Sequence, residues 1–67
     1  MKSYVQMFDN EAWWKICECE HEGDACRIAQ AMANLDGVRV RVGHKKDLKK
    51  PEELRGYIYF YPVYLLS

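Results

Sequence analysis

Alternation of apolar and polar positions divides the chain into four strand-like segments and one helical one. Tyr4-Val-Gln-Met-Phe8 places Val5 and Met7 on one side and Tyr4, Gln6 and Phe8 on the other, which predicts a first strand. Asp9-Asn10-Glu11 follows with turn chemistry, because asparagine tolerates the left-handed backbone of a tight hairpin. The second strand, Trp13 to Glu20, changes phase along its length. Trp14 and Ile16 read as inward in its first half, Cys17 and Cys19 in its second, with Glu18 and Glu20 outward. One extra residue near Ile16-Cys17, a β-bulge, reconciles the two halves.

Between Ala25 and Asp36 the period becomes helical. Ala25, Ile28, Ala29, Met32 and Leu35 share one face, Asp24 is placed as N-cap, and Gly37 supplies the left-handed stop. Alanines at 29, 31 and 33 keep the helix slim. Val38-Arg-Val-Arg-Val42 then alternates cleanly, predicting a strand with its valines buried and its arginines wet. Residues 43–56 form a long connection in which Pro51 to Leu54 suit one helical turn, pinned by Leu48 and Leu54. The last segment, Arg55 to Leu66, is the longest β-favouring run and is apolar or aromatic on both faces, as expected of a strand in mid-sheet.

The order β-β-α-β-β predicts a single small α+β domain over residues 1–67, with one helix packed on one face of a four-stranded antiparallel sheet. With the tyrosine-rich strand central, the expected strand order is 1-2-4-3. The expected core is Val5, Met7, Ile16, Cys17, Ile28, Met32, Leu35, Val38, Val40, Val42, Ile58 and Phe60. The other face then carries Tyr57, Tyr59 and Tyr61 beside Arg39 and Arg41, with Trp13 and Glu18 further across. Tyrosine, arginine and tryptophan are the residue types enriched at interface hot spots. The same cross-strand pairs also stabilise a sheet with no partner present, so the face has a purely structural reading too.

Charge changes this picture only in its distribution. The formal net charge is zero, but residues 1–26 hold two basic against six acidic side chains, a net of −4, and residues 27–67 hold eight against four, a net of +4. A zero balance weighs against a dedicated nucleic-acid binder. Three cysteines, an odd number in 67 residues, do not describe a secreted disulfide scaffold and indicate a reducing compartment. The N-terminus lacks the apolar segment of a signal peptide, and the run from Tyr57 to Leu66, broken by Pro62, is short of the ~20 residues that span a bilayer. The expected location is cytoplasmic.

Candidate chemistry is sparse. Cys17, Cys19, His21 and Cys26 are the one group of metal-ligand types, but sulfurs two residues apart on an extended strand stand about 7 Å apart, against the roughly 4 Å that tetrahedral zinc requires. Free, packed cysteines and no metal or cofactor are expected. Cys26 near a helix start has Glu22 and Asp24 close by and no histidine placed as its base, and no glycine-rich phosphate loop is present, so no enzyme is expected.

Arg55-Gly-Tyr-Ile-Tyr-Phe-Tyr, at the end of a β-α-β-β run, resembles the aromatic strand motif of RNA-recognition modules at Arg55, Gly56, Tyr57 and Tyr59; it departs at Ile58, Phe60 and Pro62, and the second helix and last strand of that module are absent. The resemblance implies a single-stranded nucleic-acid platform, with Tyr and Arg stacking bases and Lys45, Lys46, Lys49 and Lys50 meeting phosphates. Size, a single domain and the absence of an active site instead lead to the main expectation, a non-catalytic binding protein that occupies a surface on a larger protein or complex. Inhibitors that phages and mobile elements direct against host defence or nucleic-acid-processing systems are of this kind. The expected contact residues are Tyr57, Tyr59, Tyr61, Arg39, Arg41, Trp13, Glu18 and Glu20, and a homodimer is a further possibility for the same face or for the tail from Val63 to Leu66. The acidic run Glu18, Glu20, Glu22 and Asp24 would imitate a phosphate backbone toward a basic partner.

Overall fold

A computed structural model describes residues 2–44 and 56–63 of the chain. The elements run β1 (Ser3–Asp9), β2 (Ala12–Cys19), α1 (Glu22–Asp36), β3 (Val40–Gly43) and β4 (Ile58–Phe60). They form the expected α+β arrangement, four antiparallel strands in one sheet with a single helix. No helix among the described residues is long and apolar enough to cross a membrane.

Each local signal has its physical counterpart. Asn10 and Glu11 both take positive φ, 51° and 62°, so the β1–β2 hairpin closes through two left-handed residues, whose twist matches that of the strands. Between Val5 and Gln6 the register of β1 shifts from Cys17 to Lys15, leaving Ile16 as the extra residue of a β-bulge. The bulge turns Cys17 and Cys19 toward the helix while Trp13 and Lys15 face away. Gly37, at φ 66°, donates its N–H to the Ala33 carbonyl and ends α1. The helix starts earlier than its charge pattern predicts: His21 is the N-cap, without a side-chain cap, and Asp24 lies inside the first turn, where its charge still faces the positive end of the dipole.

The strand order is β2-β1-β3-β4, not 1-2-4-3. Of the three neighbour pairs in the expected order, β1–β2 and β3–β4 exist, but β2–β4 is replaced by β1–β3, so β1 and β3 are central and the tyrosine-rich strand is an edge of three residues. Pro62 has no N–H to give a ladder, and the residues after Phe60 leave the sheet to meet the helix instead: Gln30 Nε2 donates to the Tyr61 carbonyl at 2.9 Å, and the Val63 N–H donates to Asn34 Oδ1 at 2.8 Å. In either order the helix crosses over one strand between β2 and β3, so the local pattern alone leaves the identity of the crossed strand open.

The helix-side core is Val5, Val40 and Val42 against Ala25, Ala29 and Ala33, with Cys17, Cys19, Cys26, Met32, Val38 and Phe60 packed around it. An all-alanine stripe lets the helix lie close on the sheet, which moves the larger helical residues to the flank. Ile28, Leu35, Ile16 and Ile58, all expected in the core, are exposed, Leu35 at 85%. The long connection and its helical turn, with Leu48 and Leu54, lie outside the described residues.

Candidate functional site

The sheet face away from the helix is assembled in rows by the strand registers. Trp13 lies across from Phe8, whose N–H donates to the Arg39 carbonyl; Lys15, Gln6, Arg41 and Tyr59 form the next row; Glu18, Tyr4 and Gly43 form the third. The middle row holds the unexpected feature. Arg41 is fully buried, together with Gln6 at 1% and Trp13 at 2% exposure, on the face read as wet.

The guanidinium of Arg41 is clamped between two rings, with its central carbon 4.3 Å from the Trp13 ring centre and 4.4 Å from that of Tyr57. A planar, weakly hydrated cation suits such a sandwich, where a lysine ammonium would not. Its Nε donates to Gln6 Oε1 at 2.6 Å and Nη1 reaches Tyr59 Oη at 3.4 Å. Trp13 meets Tyr59 edge-on at 5.7 Å and Phe8 at 5.1 Å, so rings from the two edge strands close over the central pair. Gly43 makes room for the roof: the Tyr57 ring occupies the position that a Cβ at residue 43 would take. Arg39, exposed, lies with its guanidinium 4.2 Å over the Phe8 ring. The buried indole N–H of Trp13 has no acceptor among the described residues.

Thus Trp13 and Arg41 form a hub, with Tyr57 and Tyr59 half-buried around it and exposed Arg39 beside it over Phe8; Tyr61, 47% exposed, lies just beyond β4, where its carbonyl meets Gln30 of the helix. Glu18 stands apart on β2, paired with Lys2 at 3.4 Å, and exposed Glu20 follows β2 at the bend before the helix. The two arginines of the expected strand Val38–Val42 therefore divide: Arg39, just before β3, is wet as expected, and Arg41, within it, is not. Gln6, Phe8 and Gly43 were not among the expected contact residues. The signal for Gln6 was present in the sequence, since a polar residue between Tyr4 and Phe8 on one strand face is suited to answer a buried cation opposite.

Two members of the acidic run are engaged by cations, Glu18 by Lys2 and Asp24 by Arg27, and Glu22 lies 3.3 Å from His44 Nε2. The other imidazole nitrogen, Nδ1, lies 2.8 Å from the Lys2 carbonyl. Cys17, Cys19 and Cys26 are free and half-buried. Burial, then the neighbouring Cys19, pushes the Cys17 thiol above its ordinary value of 9.0; burial, then Glu22, does the same for Cys26. Both are thiols, not thiolates, at neutral pH. Among the described residues no three His, Cys, Asp or Glu side chains converge on a metal-sized site. Comparison with family models, curated proteins and solved structures yields no match to this chain.

Proposed function

We propose that this chain is a non-catalytic binding protein that occupies a surface on a larger protein or complex through the sheet face away from its helix. The observation that carries the proposal is the Trp13–Arg41–Tyr57 stack, which holds an aromatic and arginine surface rigid on a face that no described helix or strand covers. Fixing rings before contact removes ordering cost from association, and Tyr, Trp and Arg are the residues that concentrate binding energy. Arg39 offers a reachable anchor over Phe8, Tyr61 adds an exposed ring just beyond β4, and Phe8, Tyr57 and Tyr59 are half-buried. The finer form of the proposal is an inhibitor of a host defence or nucleic-acid-processing system, of the type carried by phages and mobile elements, acting inside the cell. The cation pairing of Glu18 and Asp24 moves the weight of that reading from phosphate mimicry to the aromatic face.

Single-stranded nucleic acid is the competing occupant. Base stacking requires free ring faces, whereas Tyr57 lies between Arg41 and Gly43, Trp13 is covered by Arg41, and Phe8 by Arg39. The experiment is affinity capture from a native lysate, with and without nuclease, using the wild type and an Arg39→Ala/Tyr61→Ala variant that leaves the hub in place. A protein captured by the wild type, retained after nuclease and lost with the variant, is the expected result. Recovery abolished by nuclease would replace the proposal with nucleic-acid binding, and capture unaffected by the variant would remove this face from the contact.

A further inference from the structure

We propose that β2 is a self-association edge, through which two copies of this chain pair antiparallel and join their sheets into one. The contact uses the strand edge, leaves the aromatic face free, and is independent of the binding proposed above. Among the described strands β2 ends the sheet, with β1 as its one neighbour. It is eight residues long and contains no proline, whereas the opposite edge, β4, has three residues and stops just before Pro62. A strand of that length presents a row of outward N–H and C=O groups able to template a further strand.

Four of the seven large apolar side chains exposed among the described residues lie on the same side; the other three, Ile58, Tyr61 and Val63, lie on or just beyond β4. Trp14 (44%) and Ile16 (42%) lie on β2 itself. Ile28 and Leu35 lie on the flank of α1 opposite Gln30 and Asn34; since those two bond to residues just beyond β4, the Ile28 and Leu35 flank faces the β2 side.

Charge selects the register and the occupant. A two-fold axis perpendicular to the sheet requires residues directly across from each other to share a face. The bulge at Ile16 breaks the simple alternation of β2, so that Lys15, opposite Gln6, and Glu18, opposite Tyr4, both stand on the face away from the helix, while Trp14, opposite Met7, and Cys19, opposite Ser3, both face it. Setting Lys15 of each copy across from Glu18 of the other is therefore face-consistent, and it also sets Trp14 across from Cys19. Side chains directly across an antiparallel pair have Cβ atoms roughly 4.5–5.5 Å apart, within ion-pair reach, and the symmetry makes the pair twice. A slip of one residue puts Lys15 across from Cys17 or Cys19, on the opposite face; a slip of two puts Trp13 across from Glu18 in one direction, losing both ion pairs, and in the other puts Glu18 across from Cys17, on the opposite face. A lysine and a bulge commonly blunt an edge. Here the lysine, 6.0 Å over the Tyr4 ring of its own copy, meets Glu18 of a second copy, a carboxylate that also holds Lys2 at 3.4 Å, and the two bulges flank the axis at the same level.

The test is sedimentation velocity over a concentration series, with far-UV circular dichroism to confirm folding of each variant. The wild type is expected to dimerise. Lys15→Glu and Glu18→Lys, which turn both ion pairs into like-charge pairs, are each expected to weaken dimerisation by about tenfold or more. An equimolar mixture of the two variants restores every opposite-charge pair and is expected to recover the dimer as a mixed species. A wild type that stays monomeric up to its solubility limit would overturn the proposal, as would single reversals without effect or a mixture that fails to recover association.

Discussion

Arg41 shows why a charged residue on an alternating strand need not be a solvated one. Its guanidinium is out of water but stacked on both faces, and its Nε is met by the Gln6 carbonyl oxygen, so part of the desolvation cost is returned as charge-assisted hydrogen bonding and cation–π attraction. Truncation would remove the contacts and leave Gln6 Oε1 buried without this donor. For Arg41→Ala we expect a loss of about 3 kcal/mol, a large share of the roughly 3–10 kcal/mol expected for a chain of this length. Arg41→Lys keeps the charge and loses the plane. If the sandwich is what stabilises the site, lysine should recover less than half of the loss in urea denaturation; near-complete recovery would show that charge alone suffices. The Val-Arg-Val-Arg alternation made β3 legible as a strand, yet it could not distinguish Arg39 from Arg41, because their difference lies in Trp13 and Gln6, brought alongside by other strands.

At the scale of elements, the turn, the bulge and the helix stop carry their information locally and were readable for that reason, whereas the helix start was not: His21, not Asp24, is the N-cap. Asp9-Asn10-Glu11, the bulge at Ile16 and the stop at Gly37 all appear where the sequence placed them. The sheet order was not readable in the same way. A strand apolar on both faces was expected at the centre, but Pro62 cuts β4 short, and the segment beyond it bonds to Gln30 and Asn34 of the helix. The place in mid-sheet goes to β1, whose Val5 and Gln6 are both buried, one on each side. The hairpin turn itself is not optimal. Asn10 suits positive φ, but Glu11 at 62° carries a Cβ into the left-handed region. Glu11→Gly should therefore stabilise the domain by about 0.5–1 kcal/mol, seen as a higher urea midpoint with an unchanged slope. An unchanged or lower midpoint would mean that the glutamate makes a compensating contact.

Taken whole, the molecule has two small cores that share one pair of strands. The helix-side core of valines and alanines takes Val5, Val40 and Val42 from β1 and β3, and the hub on the other face takes Gln6 and Arg41 from the same two strands. A chain of 67 residues buries only about 60% of the surface its unfolded form exposes, so neither layer has much area to stand on alone. Losing one should release β1 or β3 and with it the other. This predicts one cooperative transition. In a Trp14→Phe background the remaining indole, Trp13, reports only on the hub, while far-UV circular dichroism reports chiefly on α1 across the sheet. The two urea midpoints should coincide in this background, and should fall together when Arg41→Ala is added. A helix signal that outlasts the Trp13 signal would show instead that the aromatic face opens separately from the rest of the fold, and the surface proposed for binding would then be assembled on contact and not held ready for it.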